Sequence, residues 1–360
     1  VYKRQPVIPS TATSALIFCG PRSTTRHIWL GPATSSTPPS ESPTVNLPDG
    51  RVGGSQLPPA VVVGLDSMQG LQAARILRGH QVPVVGVAGD RDHHACRTNA
   101  CERVLFADTG AEGLVEVLEA IGRTLDSKGV LVPCQDKSVR VISRHRDRLA
   151  AWFNVSLPAP DTLEMLMDKD AFYAYARRQD LPIPTTVYLR GRDDVLEAAR
   201  ELRFPCLLKP VARTPVWDRH TRFKVFKIRS AEELVTRYDE CRPWADSLIA
   251  QEWVEGDDSC LYSCNCYYDG DSRLQATFVA RKLRQWPPDA GSSCLGEEVR
   301  NDEVLNMTTS LFGPLGYRGL GYLEVKRDAR TGKHFIIEPN IGRPTGRSAI
   351  AEAGGVSLLY

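Results

Sequence analysis

The sequence predicts an α/β domain followed by a larger α+β region of two lobes. Three observations support this fold class. Apolar strands alternate with amphipathic helices from residue 60 to residue 133, a mixed lobe of helices and strands follows, and strands with hairpin turns predominate after Gly256. Strand–helix alternation is typical of a doubly wound parallel sheet, whereas consecutive hairpins build antiparallel sheets. The 360 residues are enough for two domains.

The first segment differs in composition from the rest of the chain. Within residues 1–57, Ser, Thr, Pro and Gly dominate, and Glu41 and Asp49 are the only acidic residues. Such a segment buries too little apolar surface to offset the entropy lost on ordering, so we expect a disordered tail. A transit peptide and a non-native upstream extension both remain open as interpretations of it.

Residues 58–157 are predicted to form the α/β domain. Uncharged apolar runs, typical of buried parallel strands, alternate there with helical patterns. The predicted strands are 60–65, 82–87 and 129–133, and the predicted helices are 67–77 and 111–124. Gly64 and Gly70 bracket the first strand–helix turn without the three spaced glycines of a dinucleotide fingerprint, which argues against a nucleotide-dependent oxidoreductase.

The α+β region is predicted over residues 158–360. Asp161 and Glu164 have the spacing of a capping box, which predicts a helix that runs toward Gln179 and ends before Pro182. The next predicted elements are a helix at 193–202, a strand at 205–209, a helix at 231–241 and a strand at 248–254.

Two glutamates near the C-terminal end carry the strongest functional signal. Glu324 and Glu338 lie in short apolar segments, and the turn between them contains Gly332 at a position suited to a left-handed backbone. Both are equidistant from Thr331, so a hairpin that closes there makes them cross-strand neighbours. Facing carboxylates repel, and a hard divalent cation between them removes that repulsion. With Asn340 the set suits Mg²⁺; the alternative is a solvated hairpin with exposed carboxylates.

Basic side chains suggest contacts with an anion. Lys209 ends an apolar strand, where an ammonium group is unfavourable unless an anion meets it or the side chain reaches water. Arg281, Lys282 and Arg284 are either a solvated patch or part of a phosphate clamp. The basic segment 213–227 is a candidate loop over the phosphates.

A strand over residues 251–254 leads into an acidic turn. An exposed edge of this strand would offer its backbone to an adenine, and Glu255 would accept hydrogen bonds from ribose hydroxyls. The alternative is an ordinary acidic strand end. Arg343 and Arg347 follow the proposed metal residues closely enough to meet a developing anion.

Composition narrows the classes of partner. The net charge of +2 gives no general attraction to nucleic acid, and no stretch has the length of a membrane-spanning helix. The ten cysteines lack paired zinc-ligand spacing, and free thiols in a reducing cytoplasm are the simplest interpretation. His93, His94, Cys96 and Cys101 come nearest to a metal cluster, with irregular spacing.

In their order and spacing, these residues resemble the ATP-grasp superfamily of carboxylate–amine ligases, in particular its D-aspartate-ligase-like branch. The resemblance covers residues 59–360. It implies an α/β pre-ATP-grasp domain followed by an α+β ATP-grasp fold of two lobes, truncated at the C-terminus. It also implies a reaction in which ATP activates a small carboxylate as an acyl phosphate, which an amine then attacks.

The resemblance implies roles for individual residues. Lys169 and Lys209 match the nucleotide-binding lysines, and Glu255 matches the ribose acid. Four residues match the adenine hinge: Gln251, Glu252, Trp253 and Val254. The metal ligands match Glu324, Glu338 and Asn340, and the candidate catalytic cations are Lys282 and Arg343.

The implied cofactors are ATP and Mg²⁺, with Mn²⁺ as an alternative metal. The implied partners are a small-molecule carboxylate and amine, without nucleic acid or membrane, and a homodimer is compatible. Two departures keep an alternative open, namely an ATP-binding module that does not ligate. Residues 210–227 contain no glycine, and Arg343 stands three residues after Asn340 rather than two.

Overall fold

The computed structural model describes residues 57–211, 214–286 and 292–360. Residues 1–56, for which disorder is expected, lie outside the described part of the chain. Arg213, the first residue of the proposed basic loop, also lies outside it. The described strands form one five-stranded parallel sheet, one four-stranded antiparallel sheet and one five-stranded antiparallel sheet. No helix in the described ranges is long and apolar enough to cross a membrane.

The first sheet belongs to the α/β domain. Its elements are β1 (Ala60–Val63), α1 (Met68–Gly79), β2 (Val84–Ala88), β3 (Arg103–Phe106), α2 (Leu114–Gly122), β4 (Gly129–Pro133), α3 (Asp136–Arg144), α4 (Arg146–Leu149) and β5 (Phe153–Asn154). The strand order is β3-β2-β1-β4-β5. Val61 and Val63 pack with α2 and α3, whereas Ala60 and Val62 pack with α1. Helices on both faces confirm the predicted doubly wound sheet.

The first strand ends two residues earlier than predicted, because the chain turns at Gly64. Gly64 has a φ of +92°, a left-handed conformation that favours glycine. A Cβ atom on Gly70 would lie 2.1 Å from the carbonyl oxygen of Gly64, so α1 begins directly against the strand end. Ser67 caps this helix by accepting the backbone N–H of Gly70 at 3.0 Å.

The second sheet lies in the mixed lobe. Its elements are α5 (Pro160–Met167), α6 (Lys169–Arg178), β6 (Thr186–Leu189), α7 (Arg192–Glu201), β7 (Cys206–Pro210), α8 (Pro215–His220), β8 (Phe226–Ile228), α9 (Ala231–Cys241) and β9 (Leu248–Glu252). The strand order is β6-β9-β7-β8. Its core contains Trp217 of α8, Val195 of α7 and Tyr238 of α9.

The predicted capping box at the start of this lobe is wrong. Helix α5 begins at Pro160, whose fixed φ suits the first helical position, and Asp161 lies inside the first turn. Glu164 pairs instead with Arg140. The predicted single helix toward Gln179 is two helices, because Asp168 has extended backbone and caps α6 through the N–H of Ala171.

The third sheet is antiparallel and carries the hairpin of the two glutamates. Its elements are β10 (Leu261–Tyr268), β11 (Leu274–Trp286), β12 (Ser292–Glu298), α10 (Asp302–Phe312), β13 (Gly319–Arg327), β14 (His334–Ile341) and α11 (Gly346–Ala353). The strand order is β12-β11-β10-β13-β14. Cys264 and Cys266 face α10, whereas Phe278 and Ala280 face α11. Neither α10 nor α11 was anticipated from the sequence.

Candidate active site

The hairpin places the two glutamates opposite each other, as predicted. Glu324 of β13 and Glu338 of β14 are register partners, and Tyr322 pairs with Asn340 two residues along. Since alternate residues of a strand share a face, all four side chains lie on one side of the sheet. Gly332 has a φ of +73°, which confirms the predicted left-handed turn position.

The Glu338 carboxylate interacts electrostatically with side chains from three distant segments of the chain. The surrounding protein and repulsion from Glu324 raise its pKa, although the residue is exposed. Lys169 and Lys209 act in the opposite direction and lower that pKa. Side chains from α6, β7 and β13 therefore act on one carboxylate of β14.

Lys209, the predicted phosphate-binding lysine, lies near the end of β7. Its Nζ atom donates to Oε1 of Gln251 at 3.2 Å. Burial first, and then repulsion from Lys169, lower the pKa of Lys209 to about 8, although Glu338 opposes this. Two lysines that repel each other beside a cleft are an arrangement that an anionic ligand stabilises.

The expected open strand edge is not present at Gln251 and Glu252. Strand β9 is hydrogen-bonded to β6 on one side and to β7 on the other, so it has no open edge there. The buried amide of Gln251 donates to Tyr173 Oη at 3.0 Å and to Thr186 Oγ1 at 2.7 Å. The Glu252 carboxylate accepts hydrogen bonds from Arg203 at 3.1 Å.

The residues after β9 keep features that suit a nucleotide. The N–H of Trp253 donates to the carbonyl of Pro205, whereas the N–H of Val254 has no hydrogen-bond partner among the described residues. Two ammonium groups contact the indole of Trp253, with Lys227 Nζ 4.2 Å and Lys326 Nζ 4.9 Å from the ring centroid. Lys227 Nζ is also 3.9 Å from Oε2 of Glu255.

Lys282 is held next to Glu324 by a buried chain of polar contacts. Its Nζ atom is 4.0 Å from Oε1 of Glu324 and donates to Oε1 of Gln285 at 3.2 Å. The amide of Gln285 donates in turn to Asp258 at 2.6 Å. Burial lowers the pKa of Lys282, and the charge of Glu324 opposes that effect. Sequence reasoning missed Asp258 and Gln285, because their roles depend on contacts across the sheet.

The other cations of that segment have separate positions. Arg281 forms an ion pair with Glu297 of the neighbouring strand β12, and Arg284 is exposed. The three cations of the proposed phosphate clamp therefore have different environments: Lys282 is buried, Arg281 is paired and Arg284 is solvated.

Arg343 connects Asn340 of the hairpin with the α/β domain. Its Nη2 atom donates to Oδ1 of Asn340 at 2.5 Å, and its Nε atom donates to Asp136 at the start of α3. The amide oxygen of Asn340 is thereby oriented. Asp136 also raises the pKa of Glu338. No sequence pattern indicated Asp136.

The chemistry of the donor set fits a magnesium ion. Two facing carboxylates and an amide oxygen are hard ligands, and Mg²⁺ is usually held by one or two carboxylates together with substrate phosphates. Within the described ranges, no group of three or more His, Cys, Asp and Glu side chains is arranged to hold a metal. His93, His94, Cys96 and Cys101 therefore give no support to a second metal site.

Comparisons with known proteins agree with this geometry. No family model matches the sequence. Over 232 residues the chain is 26% identical to a D-aspartate ligase of Enterococcus faecium (strain Aus0004), covering 62% of this chain and 54% of that protein. Over 173 residues it is 22% identical to a D-alanine–D-alanine ligase of Pseudomonas putida (strain GB-1), covering 44% and 49%. The chain thus spans about half the length of these curated relatives.

Solved structures share the fold at low sequence identity. The biotin carboxylase domain of Hydrogenobacter thermophilus 2-oxoglutarate carboxylase, in complex with MgADP, has a TM-score of 0.63 and 14% identity, covering 83% of this chain and 67% of that one. N5-carboxyaminoimidazole synthetase from Staphylococcus aureus, complexed with ADP, has a TM-score of 0.60 and 13% identity, covering 81% and 71%.

The fold is thus the one that ATP-grasp enzymes have, and the curated relatives that the chain matches are a D-aspartate ligase and D-alanine–D-alanine ligases.

Proposed function

We propose that the chain is an ATP- and Mg²⁺-dependent ligase that activates a small carboxylate as an acyl phosphate and joins it to an amine. The cross-strand pair of Glu324 and Glu338 beside Lys169 and Lys209 carries this proposal. Repelling carboxylates next to repelling lysines are stabilised together by a ligand that brings both a divalent cation and several phosphates.

The nucleotide would lie beside charged residues of the mixed lobe and of the hairpin that carries Glu324 and Glu338. Lys169 and Lys209 would neutralise its phosphates, and the chain from Trp253 to Glu255 would hold adenine and ribose, with the N–H of Val254 as a donor. The proposed hinge is thus shorter than the segment 251–255. Manganese, with the same preference for oxygen ligands, is a proposed substitute for magnesium.

The metal would be held by Glu324, Glu338 and Asn340, and it would neutralise charge on the phosphoryl group during transfer. Tyr322 Oη donates to Oε2 of Glu324 at 3.1 Å and fixes the orientation of that carboxylate. Arg343 orients Asn340 from the other side.

The acid and amine substrates would react on the side of Glu324 that faces Lys282. Lys282 is a buried cation beside the site of phosphoryl transfer, so it would stabilise negative charge on the acyl phosphate. Arg343 is engaged by Asp136 and Asn340, which favours a positioning role over direct contact with the anion.

We assign the chain to the D-aspartate-ligase-like branch on the strength of its match to that enzyme. Residues 58–157 would be the pre-ATP-grasp domain and residues 158–360 the ATP-grasp domain. A homodimer is the assembly we propose, since the similar biotin carboxylase domain of Hydrogenobacter thermophilus is a dimer in its crystal structure.

Release of ADP tests this function. Glu338→Ala should abolish MgATP-dependent ADP release with a panel of acids and amines, while far-UV circular dichroism and the melting temperature stay close to wild type. Glu303→Ala is a matched control, because Glu303 pairs with His334 at the edge of the same hairpin, away from the cleft. Undiminished turnover in Glu338→Ala would reject the ligase assignment.

A nucleotide-binding module without ligase activity is the second candidate. The existing pairing of Arg343 with Asp136 favours it, because a catalytic arginine would have to leave that partner. Binding of MgATP without ADP release across the whole panel would support this candidate.

A further inference from the structure

The sheet face that carries Glu324 continues beneath helix α11 to the buried polar side chains of Arg347 and Asn265, a site called the polar pocket below. Arg347, in the first turn of α11, is 4% exposed, and its Nε and Nη2 atoms have no hydrogen-bond partner among the described residues. The Nδ2 atom of Asn265, a residue 3% exposed, also lacks a partner in that part of the chain. A buried guanidinium without a partner is strongly unfavourable, so these donors indicate an anionic ligand.

The neighbouring residues shape this pocket. A Cβ atom on Gly296 would lie 3.2 Å from Cδ1 of Ile350 and 3.2 Å from the carbonyl oxygen of Arg281, so glycine lets α11 approach β12 closely beside Arg347. The hydroxyl of Thr345, which caps α11, donates to Oδ1 of Asn265 at 3.2 Å. That contact uses the amide oxygen of Asn265 and leaves its nitrogen as a donor.

Arg347 lies in a different part of the fold from the proposed phosphate-binding lysines. Lys169 and Lys209 belong to α6 and β7, whereas Arg347 belongs to α11, which packs against β12 of the third sheet. Since the nucleotide phosphates would meet the two lysines, Arg347 is suited to a different anion.

We propose that Arg347, with Asn265, binds a carboxylate that a substrate carries in addition to its reacting group. This inference rests on the proposed ligase function. Nε and Nη2 form one edge of the guanidinium, and two parallel N–H donors on that edge match the two oxygens of a carboxylate. The acid and the amine substrate are the two sources of such a group.

A binding experiment tests the pocket without turnover. The melting temperature of the full chain is measured in sodium acetate and in sodium chloride of equal ionic strength. Acetate should stabilise the wild type and not Arg347→Met, and Arg347→Met should be at least as stable as the wild type in chloride, because it removes an unpaired buried charge. Arg300→Met is the control, since Arg300 is exposed and paired with Asp302. No acetate response in the wild type, or an equal response in Arg347→Met, overturns the proposal.

Matched substrate pairs identify the source of the carboxylate. ADP release is compared for alanine against ethylamine, and for succinate against propionate. The wild type should prefer the member with the extra carboxylate in one pair by roughly tenfold to a hundredfold in kcat/KM, and Arg347→Met should lose that preference. A preference that survives in Arg347→Met overturns the proposal. An acetate response without any ADP release would reject the ligase function while the pocket stands.

Discussion

Binding of MgATP near pH 8 should draw a proton onto Lys209. In the ligand-free protein, burial and Lys169 lower the pKa of Lys209 to about 8, against the opposing effect of Glu338. Phosphates beside Nζ favour the charged ammonium, so binding should raise this pKa toward the ordinary value of 10.5. The perturbation that tests this is Lys209→Met, which keeps the length and apolar body of the side chain.

The size of the effect follows from that pKa. With a pKa of about 8, about half of the molecules hold a neutral Lys209 at pH 8, and about a tenth do so at pH 7. Uptake should therefore be about 0.5 proton per MgATP at pH 8 and about 0.1 at pH 7. The phosphates add little at pH 8, because their last ionisation lies near pH 6.

Calorimetry measures this uptake directly. The enthalpy of MgATP binding is determined in buffers of different protonation enthalpy, and its slope against that enthalpy gives the number of protons taken up. Lys333→Met, which replaces an exposed lysine of the hairpin turn, should keep the wild-type slope. Binding that shows no slope at pH 8, or an unchanged slope in Lys209→Met, would refute the assignment of Lys209 to the phosphates.

Three further predictions concern stability and rate. Urea titrations should show the free energy of unfolding of the wild type rising, relative to Lys209→Met, as the pH increases from 8 to 10.5. In this pH range the lysine is protonated in the unfolded chain and deprotonated in the folded chain, so raising the pH favours the folded state. Gln285→Leu should lower kcat for ADP release by about tenfold, because it removes the contact with Lys282, and it should leave MgATP affinity unchanged. An equal loss of kcat in Gln275→Leu, whose side chain donates to Asp269 on the exposed surface, would contradict this. Trp217→Ala should cost about 3–5 kcal/mol in urea unfolding, since this side chain is fully buried; a loss below about 1 kcal/mol would show that the lobe does not depend on it.

Local patterns were enough to predict the hairpin of the two glutamates. The apolar segments, the turn with Gly332 and the equal spacing from Thr331 predict the pairing, and the structure pairs Glu324 with Glu338. The register shift between Glu324 and Val325 was not predictable from this pattern. The sequence also contained the signal for helix α10. Asn301 is a favourable cap that accepts the N–H of Val304, and apolar residues follow it at helical spacing.

Contacts between distant segments could not be predicted. Strand β9 was expected to have an open edge, but β6 and β7 enclose it, and strand order in that sheet depends on pairing that no local pattern specifies. The bond between Arg343 and Asp136 joins residues 207 positions apart. Arg347 was expected near the proposed metal residues, but its burial could not be predicted, because it depends on how α11 packs against β12.

The most direct test of a nucleotide–metal site at the hairpin is calorimetric titration of ATP, with and without Mg²⁺, into the wild type and into Glu324→Ala/Glu338→Ala. We expect the wild type to bind ATP in a Mg²⁺-dependent manner and the double variant, while still folded, to lose this dependence. Equal Mg²⁺-dependent binding in both proteins would contradict such a site and leave the two glutamates a structural role.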